Sequence, residues 1–215
     1  ILISIFLYLS VSLLLYYPPI WPDEAYIADI SRNLMLKGEI STNFWGILLP
    51  SADKIVLWYP PALFYILAGA FQLFGFSIEV QRLVSVIFGT LTLIIFFILV
   101  KNLTSFKIAL LLTFALSIDN FFLRASRISR PEIFILFFGL LSLLLHNYLI
   151  TYKIQSKRKL LFFLIGFFAG MAGLIHLGGL IFGTAIFLHT LYLERNKLPF
   201  FAVGFIIPIA SWLPI

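Results

Sequence analysis

The stretch LVSVIFGTLTLIIFFILV, residues 83–100, carries no charged side chain and is bounded by Arg82 and Lys101. A helix needs about 20 mostly apolar residues to cross the ~30 Å hydrocarbon core of a bilayer, so with its flanks this run is long enough. Working outward, further apolar runs cover residues 1–17, 108–123, 133–150, 160–175, 179–193 and 198–215, with a shorter one at 62–76. Hydrophobic residues make up 62% of the chain and charged residues 11%, where a soluble domain carries about 25% charged. Lipid is the solvent that suits such a surface, and a spanning segment satisfies its backbone internally as a helix. The expected fold is therefore all-α: a polytopic transmembrane helical bundle, with residues 1–215 forming one membrane domain. Ile1 and the apolar stretch Phe200–Ile215 both read as ends cut within helices. Ile1–Tyr17 reads as a first spanning helix rather than a signal peptide, because no small-residue cleavage site follows it.

There are no cysteines, which excludes disulfides and thiolate metal sites. The net charge of +6 reads as cytoplasmic loops of a membrane protein rather than as a nucleic-acid surface. No Walker loop, dinucleotide fingerprint or zinc motif is present, so energy for any reaction has to arrive with the substrate. Lys and Arg favour the cytoplasmic side. If 62–76 lies along or dips into the outer interface, then Lys101, Lys107, the Lys153–Lys159 cluster, Arg195 and Lys197 all fall inside. Asp23, Glu24, Asp29, Glu39, Asp53, Glu79 and Glu132 then fall outside, and this topology is the one the charges favour.

Residues 18–60 form a long polar first external loop, punctuated by Pro18, Pro19, Pro22, Gly38, Gly46 and Pro50. Trp21, Trp45 and Trp58 suit a membrane interface. Within it, Asp23 to Lys37 has Tyr26, Ile27, Ile30 and Leu34 at helical spacing. Pro22 stands before it, Asp23 and Glu24 occupy the first turn, and Gly38 follows Lys37. These features predict a short amphipathic helix on the outer surface.

Candidate chemistry gathers at the same side. Asp23 and Glu24 could take the proton of an incoming hydroxyl, or Asp23 could ligate a divalent cation; equally, acids here complement the helix dipole. Arg124, Arg127, Arg130 and Glu132 form a second polar cluster, suited to an anionic partner such as phosphate or to lipid headgroups. Asp119 is either a functional intramembrane acid or a helix cap. His176 interrupts an apolar run, as a ligand or a satisfied interior group. Arg82 is a phosphate ligand or an interfacial anchor, and Tyr59 stands before Pro60 and Pro61 at the same boundary.

Trp21-Pro22-Asp23-Glu24-Ala25-Tyr26-Ile27-Ala28 resembles the first-loop motif of GT-C membrane glycosyltransferases, in the branch containing protein O-mannosyltransferases and lipid A aminoarabinose transferases. Tyr59-Pro60-Pro61-Ala62-Leu63-Phe64-Tyr65, with Leu73-Phe74-Gly75 and Arg82-Leu83, is similar to their next block. Arg127 to Glu132 is similar to their second acidic site, and Gly173-Leu174-Ile175-His176 to a loop that often holds Lys or His. The resemblance implies the amino-terminal part of a GT-C fold and a polyprenyl-phosphate sugar donor whose lipid tail lies in the bilayer. The acceptor is a glycan, lipid or protein hydroxyl on the non-cytoplasmic face of a prokaryotic plasma membrane. Asp23 would act as base or cation ligand, Glu24 and Glu132 would shape the site, and Arg82, Arg127, His176 and Tyr59 would meet the donor phosphate. Relatives often carry Lys or His where this chain has Tyr59, and Asp where it has Glu132. The competing readings are a transporter or lipid flippase, which would show paired broken helices or an inverted repeat, and a non-catalytic relative.

Overall fold

The computed structural model describes residues 1–12, 14–44, 55–56, 59–155 and 157–212. Trp45 and Trp58, like Gly46, Pro50 and Asp53, lie outside the described residues. Among the described residues ten α-helices follow one another: α1 (Leu2–Val11), α2 (Pro22–Lys37), α3 (Ala62–Phe74), α4 (Ile78–Leu103), α5 (Phe106–Ile118), α6 (Asn120–Arg127), α7 (Pro131–Thr151), α8 (Arg158–Ile175), α9 (Leu180–Leu193) and α10 (Leu198–Ala210). Two 3₁₀ turns, Leu177–Gly179 and Arg195–Lys197, flank α9, and no strand occurs among the described residues. Among the described residues three helices, α4, α7 and α8, are long and apolar enough to cross a membrane, and the broken pair α5 and α6 makes up to a fourth. Large apolar side chains on these elements, Ile87 and Ile98 on α4 and Leu111 on α5 among them, stand exposed, as lipid-facing residues do.

Several helices are shorter than the apolar runs that encode them. The run 1–17 yields a helix of 10 residues, and the run 108–123 is broken at Asp119. The break has a local cause. Asp119 turns out of helical geometry and its Oδ1 accepts the Phe122 backbone N–H at 2.8 Å, which starts α6 afresh. Helix α3 has 13 residues, which at 1.5 Å per residue is about 20 Å, less than the hydrocarbon thickness.

The chain packs as two compact units. The first comprises Ile1–Thr90 and Ser117–Ile133, the second Leu91–Leu116 and Phe134–Ile215. In the first, α2 packs on α3 and α1 on α6. Ile27, Ile30, Leu63, Phe64, Leu67 and Phe71 are buried there, and the rings of Phe6 and Phe122 meet at 5.6 Å. Helix α2 occupies the segment its periodicity predicts. Pro22 fits its first turn, and the chain leaves through Gly38 at φ 73°, a left-handed cap that favours glycine. Its buried face, however, includes Glu24, Ser31 and Asn33, so it is a packed element of the unit rather than an apolar stripe laid on a surface.

In the second unit α8 and α10 cross closely. A Cβ on Gly166 would collide with the Phe201 carbonyl oxygen, and one on Gly204 with the carbonyl oxygen of Phe163. Leu149, Phe162, Ile165, Ala169, Ile186 and Phe201 form the core here, and Ser142 on α7 donates to the Ile165 carbonyl at 2.9 Å.

Candidate active site

The first unit brings the amino end of α2 against the start of α4 and the short connection between α6 and α7. Glu24 and Arg82 are both fully buried, with side-chain exposures of 0%. Arg82 Nε donates to Glu24 Oε1 at 2.8 Å and Nη2 donates to Oε2 at 2.8 Å, the planar two-bond match that guanidinium and carboxylate allow. Its Nη1 donates to the Leu14 carbonyl, and Gln81 Nε2 donates to the Glu24 carbonyl at 2.9 Å. The Ser129 N–H reaches Glu24 Oε1 at 3.4 Å. Glu24 therefore ties four parts of the sequence together at one buried point. It also faces back to its own helix start, where the Trp21 N–H approaches Oε2 at 3.5 Å. A buried charge is tolerated when paired and hydrogen-bonded in this way.

Asp23, one residue earlier, has the opposite environment. Its side chain is 45% exposed and lies 3.4 Å from Arg130 Nη2, which also meets Glu132 at 3.1 Å. Arg130 is 35% exposed and Glu132 48%, so the three form a solvent-reachable row of carboxylate, guanidinium and carboxylate. Pro131 opens α7 directly between Arg130 and Glu132 and puts Glu132 in the favourable first turn.

Tyr59 belongs to this group. Its phenol is pushed above the ordinary tyrosine value, first by burial and then by the Asp23 carboxylate; Arg130 opposes the shift and Glu132 adds to it. Tyr59 is therefore a neutral hydroxyl at neutral pH. Its ring lies 6.4 Å from those of Tyr26 and Phe64. Arg127 turns to a neighbouring spot, where its Nη2 donates to the Ser12 carbonyl at 2.7 Å and its guanidinium covers the Tyr17 ring at 5.6 Å. Arg124 lies over Trp21 at 5.6 Å. The buried Arg130 Nε has no hydrogen-bond partner, which leaves donor capacity beside the acids, and the buried Arg127 Nε is likewise unpartnered at its own spot.

Of the predicted residues, the first unit thus gathers Asp23, Glu132 and Tyr59 around Arg130, pairs Glu24 with Arg82, and holds Arg127 on the Ser12 carbonyl. His176 belongs to the second unit. It ends α8 and starts the 3₁₀ turn, where its Nδ1 accepts the Gly178 N–H at 3.1 Å. Asp119 is the helix cap described above.

Arg130 was not singled out within its arginine cluster, because three arginines within seven residues look alike in sequence; the Pro131 helix start beside it was the available signal. A second feature escaped sequence reading altogether. Asp29 accepts from Thr42 Oγ1 and the Asn43 N–H, both at 2.8 Å, and Asn33 Nδ2 donates to the Ser41 carbonyl at 2.9 Å. These two residues, one helical turn apart on α2, fasten the returning loop to the same helix that carries Asp23.

For a divalent cation the fit is poor. Among the described residues no group of three or more His, Asp or Glu side chains is arranged to hold a metal ion, and the place between Asp23 and Glu132 is taken by Arg130.

Residues 59–214 match the family model described as dolichyl-phosphate-mannose-protein mannosyltransferase. An uncharacterized protein of Aquifex aeolicus (strain VF5) is 29% identical over 150 residues, covering 69% of this chain and 28% of that protein. The chain thus spans little more than a quarter of that relative's length. No solved structure matches. The matched region starts at Tyr59, so Asp23 and Glu24 precede it in sequence, yet Asp23 meets Arg130 and Glu24 meets Arg82 within it.

Proposed function

The chain belongs to the dolichyl-phosphate-mannose-protein mannosyltransferase family, and from that premise we propose that it acts as a membrane glycosyltransferase. It moves a sugar from a polyprenyl-phosphate-linked donor to an acceptor hydroxyl at the non-cytoplasmic face. The observation that carries this reading is the split between two adjacent acids: Glu24 is locked to Arg82, whereas Asp23 is half-exposed beside Arg130 and Glu132. Only the second kind of carboxylate can reach a substrate.

In this mechanism Asp23 accepts the acceptor's hydroxyl proton as the oxygen attacks the anomeric carbon from the face opposite the phosphate. The new bond to C1 forms while the bond from C1 to the phosphate oxygen breaks, and the configuration inverts. The departing polyprenyl phosphate gains negative charge. Arg127 and the neutral Tyr59 hydroxyl meet that charge, and stabilisation of charge that develops in the transition state is what accelerates such a step. Arg130 orients Asp23 through their ion pair, with Glu132 balancing the guanidinium charge. Glu24 and Arg82 act from beneath as positioning residues.

The test is transfer from a panel of radiolabelled polyprenyl-phosphate hexoses and pentoses by the full-length protein in proteoliposomes, with its Asp23→Asn variant. A positioned general base contributes about 10²- to 10⁴-fold, so transfer by the variant should fall at least ~100-fold. Equal transfer by both proteins removes Asp23 from the chemistry.

A further inference from the structure

The second unit contains a groove of about 440 Å³ that the proposed transfer reaction does not use. That volume lies within the usual ~300–1,000 Å³ of ligand sites. Leu99 and Leu103 of α4, Leu143 and Ile150 of α7, and Ile186 of α9 give it aliphatic walls. Its polar groups are His146, Asn147 and His189. His146 is 7% exposed and its Nε2 lies 3.4 Å from Nδ1 of the exposed His189. Asn147 Oδ1 is buried without a hydrogen-bond partner, an acceptor that asks for a donor.

The charges of this unit gather around the same end. Leu99 and Leu103 lie in the last turns of α4, Leu143 to Ile150 in the second half of α7, and Ala185, Ile186 and His189 from the middle of α9 onward; Lys101 stands in the last turn of α4, and the segments that follow α7 and α9 carry Lys153, Lys157, Arg195 and Lys197. Arg158 at the start of α8 pairs with Glu194, the sole acid in the sequence of this unit, and Lys159 covers the Phe200 ring at 5.2 Å. The preference of Lys and Arg for the cytoplasmic side accounts for basic turns by itself. It does not account for an aliphatic groove that opens among them with a buried imidazole and an orphaned amide oxygen. The positive rim also disfavours a metal cation between the two imidazoles.

We propose that this groove is a binding site for an anionic glycerophospholipid of the surrounding leaflet. An acyl chain occupies the aliphatic walls, the phosphate meets the basic rim and His189, and a headgroup hydroxyl donates to Asn147 Oδ1. Basic pockets between membrane helices recognise anionic headgroups by this combination of charge and concavity. A free phosphate would have no use for the aliphatic walls, which is why a lipid is the occupant.

Native mass spectrometry of the full-length protein, delipidated and titrated with phosphatidylglycerol or phosphatidylcholine, tests it. The expected result is at least a tenfold preference for phosphatidylglycerol. Ala185→Phe, which fills the groove, and the rim pair Lys153→Gln with Lys197→Gln should each reduce bound phosphatidylglycerol at least fivefold. Leu103→Trp blocks the opposite wall and replaces Ala185→Phe if that variant does not fold. Equal binding of the two lipids by the unaltered protein overturns the proposal. So does a preference that survives groove filling, which would mean diffuse attraction to the basic turns, or displacement of the lipid by millimolar glycerol phosphate, which would mean a small-anion site. None of these readouts depends on glycosyl transfer, so failure here leaves the reading of the active site untouched.

Discussion

Replacing Arg82 by Met strips Glu24 of both of its 2.8 Å guanidinium bonds and leaves its carboxylate with one backbone N–H at 3.4 Å and another at 3.5 Å. Because neither side chain is exposed, water cannot take over the lost bonds without opening the unit. Removing one partner of a buried ion pair costs about 3–5 kcal/mol, which is roughly two to four orders of magnitude in the folding equilibrium. Glu24→Leu should cost a similar amount, since it strands the Arg82 guanidinium with only the Leu14 carbonyl. Joining the two substitutions removes both charges, and apolar replacement of a buried pair is often neutral or better. The double variant should therefore recover most of the loss, giving a coupling of at least ~2 kcal/mol in a double-mutant cycle. The measurement is SDS titration of the full-length protein in mixed micelles, followed by helical circular dichroism. Single variants within about 1 kcal/mol of the unaltered protein would refute the reasoning. So would a double variant no more stable than the weaker single, since either result means that the pair is not sealed from solvent.

Two further outcomes follow from the geometry. The Tyr59 phenol should titrate above the ordinary tyrosine range, so the stability it confers as a neutral group is fully present below that range and is lost as pH rises through its folded-state value. In ultraviolet difference titrations against Tyr59→Phe, Arg130→Gln should raise the midpoint and Asp23→Asn should lower it; movement in the opposite senses would separate Tyr59 from this cluster. Gly166→Leu should prevent the close crossing of α8 and α10, because the obstacle is the Phe201 backbone oxygen and not a movable side chain. Overpacking of this kind costs typically ~1–3 kcal/mol or more, and the same SDS titration would show it, while Gly69→Leu, at an open position, should cost far less.

The split between what was legible and what was not follows the range of the interactions. Composition, the uncharged run at 83–100 and the proline and glycine around Asp23–Lys37 were enough for an all-helical membrane protein and for the bounds of α2. Desolvation of apolar side chains and helix capping act over a few residues, and a linear pattern records them. A cap at Asp119 was one of two readings of that residue, since a cap needs only the next turn of chain, but the break it makes in the run 108–123 was not read.

Which acid faces a substrate was not visible. Asp23 and Glu24 are neighbours of the same charge, and they differ because Arg82, 58 residues on from Glu24, reaches one and Arg130 reaches the other. The same holds for the choice of Arg130 over Arg127 beside the acids, and for the meeting of His146 with His189 in the groove. Burial and ion pairing are properties of the space around a side chain, and only packing of distant segments creates that space. The sequence by itself determined the solvent, the helical class and the local helix ends; the tertiary structure decided which charges are sealed as struts and which stay open to react.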